Sequence, residues 1–158
     1  MKTKLTNAYM ETAESFANCS TAKRLKVGAI IVDPKTGAII SVGYNGTLPG
    51  EDNCCEEHDA QGNIMWTKEE VLHAEENAIA KLARSNCSAE GALMFVTHSP
   101  CVKCARMIVA SGIKKVYYGE KFTGHIESGI PLLERNKVIT HHVDPEWTLR
   151  GTRGQKSG

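Results

Sequence analysis

Apolar and polar positions alternate along this chain in blocks whose period switches between that of a helix and that of a strand. Residues 5–18 read as a helix. Two apolar runs, 27–33 and 38–43, flank the turn Pro34-Lys35-Thr36-Gly37 and predict a β-hairpin. A polar loop follows. Val71, Ala74, Ala78, Ile79 and Leu82 then mark one stripe, which predicts a helix over 68–84. The remaining blocks predict a strand at 92–97, a helix at 102–110 closed by Gly112, a strand at 115–119, a short helix at 131–135 and a strand at 138–142. Strands alternating with helices after an initial hairpin predict an α/β fold, a three-layer α/β/α sandwich around a five-stranded mixed sheet. Residues 1–149 are expected to form one domain. The Gly-rich, basic stretch 150–158 is expected to be a mobile tail.

Composition narrows the function. With 158 residues and 41% hydrophobic content, the chain suits one folded domain with a sizeable core. A net charge of +1 offers no basic surplus for neutralising phosphates, so a small substrate is favoured over nucleic acid. The first 16 residues are interrupted by charges and lack the apolar centre of a signal peptide, and no apolar run is long enough to span a bilayer. A cytoplasmic location is expected. Six cysteines then read as metal ligands and small buried residues rather than as a disulfide framework.

The chemistry is concentrated in two short words, His73-Ala74-Glu75 and Pro100-Cys101-Val102-Lys103-Cys104. Cys-x-x-Cys by itself fits a zinc knuckle, a dithiol redox pair or two ordinary helix positions. On the first turn of the 102–110 helix the two sulfurs face one way, and the positive end of that helix favours thiolate. His73 and Glu75, two apart, do not share a helix face, so they border a common site only off the N-terminal end of their helix. Two helix starts meeting there would complete a set of one histidine and two cysteines, the layout of a zinc site with an open fourth position. Zinc lowers the pKa of water from 15.7 to about 7, and Glu75 would move protons beside it. Without the cysteines, Glu75 would read as a first-turn glutamate facing the helix dipole, and His73 as an ordinary helix histidine.

At these words, with Gly43-Tyr44-Asn45-Gly46 and Ser99 before Pro100, the chain resembles the cytidine and deoxycytidylate deaminase superfamily, and most closely its deoxycytidylate (dCMP) deaminases, from about residue 8 to 121. The resemblance implies the same α/β/α fold and a zinc-dependent hydrolytic deamination of dCMP to dUMP, the dTMP precursor, with release of ammonia. His73, Cys101 and Cys104 would hold the zinc and Glu75 would carry protons to N3 and to the departing amino group. Asn45, Ala74, Ser99 and Tyr118 would lie near the substrate, and Arg84 would grip its 5′-phosphate. Each has a plainer reading: Asn45-Gly46 as a turn, Arg84 as a cation at a helix C-terminus, Tyr118 as core.

The resemblance implies more. Some relatives carry a structural zinc, for which Cys19, Cys54, Cys55 and His58 offer a closed tetrahedral set here; these residues read equally as one small buried cysteine and a polar loop. Relatives are typically homohexamers activated by dCTP and inhibited by dTTP. A nucleoside triphosphate with its Mg²⁺ would then use Arg24, Lys26, Tyr44 and Gly46, although the basic residues also read as a solvated loop. Glu76 stands where many relatives are expected to carry an apolar residue. Competing readings are another small-substrate or tRNA deaminase of the superfamily and, from a different class, a non-catalytic zinc or redox module. The last leaves His73 and Glu75 without a role.

Overall fold

The computed structural model describes residues 1–121 and 127–143. The 150–158 stretch lies outside the described residues. Helix α1 (Thr3–Ala17) leads into strands β1 (Gly28–Val32) and β2 (Ile39–Tyr44), joined through the predicted turn, where Gly37 takes φ +77°. A small hairpin, β3 (Glu56–His58) and β4 (Ile64–Thr67), precedes helix α2 (Ala74–Ala83). Strand β5 (Leu93–His98), helix α3 (Val102–Ser111), strand β6 (Lys115–Glu120), helix α4 (Ile130–Arg135) and strand β7 (Ile139–His142) complete the order.

The main sheet runs β2-β1-β5-β6-β7. β1 is antiparallel to both β2 and β5, whereas β5, β6 and β7 are parallel, so the sheet is mixed as expected. The strand period of two sorts side chains between its faces. Ile30, Val32, Leu93, Phe95 and Tyr117 pack with Tyr9, Met10 and Ala13 of α1. Ala29, Ile31, Met94, Val96, Val116 and Tyr118 pack on the other face with residues of α2, α3 and α4. Because β5 and β6 are parallel, the chain leaves the same edge of the sheet after each. That edge receives the start of α3, and the α2 start joins it.

Small residues set how closely α2 lies on the sheet. A Cβ built at Gly43 would meet the Ala74 carbonyl and, at 2.6 Å, the Ala78 nitrogen. α2 therefore approaches β2 over bare backbone, and Ser41 Oγ, two residues back on the same face, donates to the Ala78 carbonyl at 2.6 Å.

Two expectations are corrected. α2 begins at Ala74, not at 68, because Leu72 forms an isolated antiparallel bridge with Gly46, with N–H···O distances of 2.9 and 3.0 Å. The bridge holds the chain extended up to His73. The polar loop between Gly46 and His73 also contains the β3–β4 hairpin, whose turn is built on Asp59: its carboxylate accepts the Gln61 and Asn63 N–H groups, and Gly62 takes φ +84°. Every residue of β4 is exposed, so no alternation of buried and solvated positions announced it.

Gly43→Ala should lower unfolding free energy by about 1–3 kcal/mol, as overpacking does, read from the urea midpoint. An unchanged midpoint would show that α2 gives way without cost.

Candidate metal centre and active cavity

His73 is the N-cap of α2 and Cys101 the N-cap of α3, both in extended backbone conformation. The two helix starts face each other. His73 Nδ1 lies 3.2 Å from Cys104 Sγ and 3.6 Å from Cys101 Sγ, and all three ligand atoms fall within 4.8 Å of one another. Zinc bonds of about 2.0–2.1 Å to nitrogen and 2.3 Å to sulfur at a tetrahedral angle require N···S separations of about 3.6 Å. The donor set therefore fits a zinc ion in both chemistry and spacing. Among the described residues it is the only group of three or more metal-ligating side chains.

Charge in the cluster is held by hydrogen bonds. The Cys104 thiol donates to Cys101, and this with His73 pulls the Cys101 thiol down to about 4. The same proton is thereby held on Cys104, which is pushed far above the usual thiol range, with burial adding to the effect. The bond to Cys101 also raises His73, against its burial. Glu75 is 4% exposed, and burial pushes its carboxyl up to about 7. A carboxyl titrating there can both accept and return a proton at neutral pH.

Glu76 was not foreseen as a functional residue. Its Oε1 accepts the His73 N–H at 3.1 Å, capping α2, and its Oε2 pairs with Lys103 Nζ of α3 at 3.6 Å. One buried carboxylate thus ties the two helix starts together. The word His73-x-x-Glu76 carried that capping signal.

The cluster and Glu75 open into a cavity of about 770 Å³, within the range of small-molecule sites. Asn45, Ala74 and Ser99 line it, as expected. Asn45 is also a staple: Oδ1 accepts the Val27 N–H at 2.8 Å and Nδ2 donates to the Leu25 carbonyl at 2.7 Å. His98, unforeseen, forms part of the wall. Thr97 Oγ1 accepts the Gly28 N–H at 3.2 Å and lies 2.8 Å from His98 Nδ1, while His98 Nε2 lies 3.4 Å from Glu120. Burial holds this imidazole below its usual range, against the opposing pull of Glu120.

Other expected residues lie elsewhere. Arg84 is the exposed C-cap of α2, about 15 Å along the helix axis from its start at 1.5 Å per residue, and does not line the cavity. Tyr118 is buried in the core, its ring 5.3 Å from that of His142. Arg24, expected at an effector site, lines the active cavity instead. Its three companions do not: Lys26 is exposed, Tyr44 lies under Lys81 and Gly46 pairs with Leu72.

The four expected ligands of a second zinc are not assembled. Cys54 Sγ and His58 Nδ1 are 4.0 Å apart, but Cys55 Sγ faces Thr21 Oγ1 at 3.5 Å, and exposed Cys19 turns back to the Ser15 carbonyl of its own helix. Their backbones come from two separate segments, the end of α1 and residues 54–58, and the four side chains do not converge on one point. Among the described residues no helix is long and apolar enough to cross a membrane.

Fold and cluster together are those of the zinc-binding nucleobase deaminases as a class. The chain belongs to the cytidine and deoxycytidylate deaminase family, whose zinc-binding region matches residues 3–120. The deoxycytidylate deaminase of Enterobacteria phage T4 is 36% identical over 151 residues, covering 73% of this chain and 75% of the phage protein. ComE operon protein 2 of Bacillus subtilis is 38% identical over 119 residues, covering 74% of this chain and 60% of that protein's length. The dCMP deaminase of cyanophage S-TIM5, solved in complex with dCMP and dUMP, superposes with a TM-score of 0.81 at 44% identity, covering 90% of this chain and 99% of the cyanophage chain.

Metal analysis of the purified protein is expected to give one zinc per chain, and none after Cys101→Ala. Two zinc ions per chain would restore the site at Cys19, Cys54, Cys55 and His58. Glu76→Ala, which frees the backbone of a ligand, should weaken zinc retention against a chelator by about 10–100-fold, as loss of a partner behind a metal ligand does.

Proposed function

We propose that this chain deaminates dCMP hydrolytically to dUMP and ammonia. The observation that carries the reading is the buried Glu75 carboxyl beside the His73, Cys101 and Cys104 cluster, on the floor of a cavity of nucleotide size. The cyanophage relative, matched over almost its whole length and holding dCMP and dUMP, supports this choice of substrate.

Zinc held by the three side chains would supply activation of the attacking water. The residues of the chain do the rest. Glu75 takes one proton of the water and delivers it to N3 as the C4–O bond forms, then takes the remaining proton from the C4 hydroxyl and delivers it to the amino nitrogen, which leaves as ammonia as the C4–N bond breaks and the C4 carbonyl forms. Its burial keeps the carboxyl from being locked in one charge state at neutral pH. Ala74 and Ser99 present backbone and small side chains to the pyrimidine, and Asn45 borders the sugar. A polynucleotide substrate is disfavoured, because Arg24, Lys68 and Lys121 on the cavity wall are interspersed with Glu69, Glu120 and Glu127 rather than gathered into a basic stripe. The product dUMP is the substrate for methylation to dTMP, which places the reaction in the supply of thymidine nucleotides.

Turnover of dCMP, deoxycytidine, cytosine and single-stranded DNA, followed in parallel as ammonia release, tests the reading. dCMP should be preferred, and Glu75→Ala should lower kcat by about 10²–10⁴-fold. Equal rates on dCMP and deoxycytidine would remove the nucleotide from the proposal, and activity surviving Glu75→Ala would remove the proton path.

A further inference from the structure

Glu56 is a carboxylate that the proton path does not use. It opens β3, is 1% exposed, and makes no ion pair among the described residues. Burying a carboxylate without a cation is costly unless hydrogen bonds replace its water. Here the replacements come from one place: Oε2 accepts the backbone N–H of Lys23 at 2.7 Å and that of Arg24 at 3.1 Å. Thr21 Oγ1 adds a parallel tie by donating to the Asn53 carbonyl at 2.7 Å. On its other side the same loop is held by Asn45, through Leu25 and Val27. The segment carrying Arg24 is thus pinned before and after the residue that reaches the cavity.

What the pin presents is a free cation. Arg24 lines the cavity and makes no ion pair among the described residues, whereas Lys103 on the same wall is engaged by Glu76. Arg84, the other arginine considered for phosphate, stands at the far end of α2. A guanidinium whose backbone is fixed loses less entropy on gripping an oxyanion than one on a mobile loop.

We propose that Glu56 is a positioning residue for substrate choice: its buried carboxylate fixes the Lys23–Arg24 backbone so that the Arg24 guanidinium meets the anionic 5′ end of a nucleotide. This rests on the nucleotide deaminase reading above. The contact is remote from C4 and persists unchanged through the reaction, so its loss appears in KM rather than in kcat.

Steady-state kinetics on dCMP and deoxycytidine test the assignment. Glu56→Ala and Arg24→Ala should each raise KM for dCMP by about tenfold, the size of one lost charged hydrogen bond, with kcat within about twofold and with kcat/KM for deoxycytidine unmoved. Glu56→Gln, which keeps an acceptor oxygen, should restore wild-type KM. The double substitution should cost no more than Arg24→Ala alone, since both break one contact. If Glu56→Ala does not fold, Glu56→Asp, its carboxylate drawn back by one methylene, should give the same selective rise. Parallel losses on both substrates, or a selective loss in Arg24→Ala without one at Glu56, would overturn the positioning role and leave the deaminase reading intact. A wild-type chain with no preference for dCMP would overturn both.

Discussion

Everything in the site depends on bringing two helix N-termini face to face. Each carries about half a positive charge and unpaired N–H donors, so the approach is repulsive unless anions lie between. The sequence supplies them at the point of contact: the Cys101 thiolate and Glu76. Glu76 contributes twice, by capping one helix and pairing with a lysine of the other. Cys101 is therefore both a ligand of the metal centre and one of the charges that permit the two helices to meet, and metal affinity and local stability are coupled.

The approach also depends on small residues. Gly43 lets α2 lie on β2, and Gly129, where a Cβ would meet the Cys101 carbonyl at 2.5 Å, lets the chain before α4 pass close behind the α3 start. Ala74 and Ala78 are fully buried on the sheet side of α2. Such seams hold the helix ends at fixed separation, and the ligand spacing inherits that rigidity. Glu75 is buried by the same packing that seats α2. Its raised pKa is thus a consequence of the fold and needs no neighbouring carboxylate.

The layers of the sandwich were legible wherever burial imposed a period. Strands β1 and β5 read as continuous apolar runs because both of their faces are covered, and α3 was bounded by its stripe and by Gly112, which takes φ +86°. The start of α2 was not legible, since Glu69, Glu70 and Val71 continue a helical pattern that only the distant bridge to Gly46 interrupts. The β3–β4 hairpin was hidden for a different reason: an exposed strand has no buried face to print on the sequence. Within the site, His73, Glu75, Cys101 and Cys104 were readable because each pair is local and its chemistry is specific. Glu56, His98 and the tie from Glu76 to Lys103 were not, because they are set by partners from other segments. Arg84 caps the far end of α2, about 15 Å along the axis from the helix start at 1.5 Å per residue, a separation that helix geometry alone implies.

Chemistry and selectivity thus occupy different kinds of structure. The groups that carry out the deamination sit on helix ends locked into the core, where a displacement of less than an ångström would disrupt ligand spacing. The groups bordering the rest of the substrate come from the segment between α1 and β1 and from the excursion between Gly46 and His73, outside the main sheet. Such segments can change in length and content without disturbing the sheet. A family that keeps one reaction while changing its substrates would vary these segments first. The polar ties between them join the two cavity walls: a buried carboxylate from one segment holds the backbone of the other, so a change in either segment is felt at the same stretch of wall.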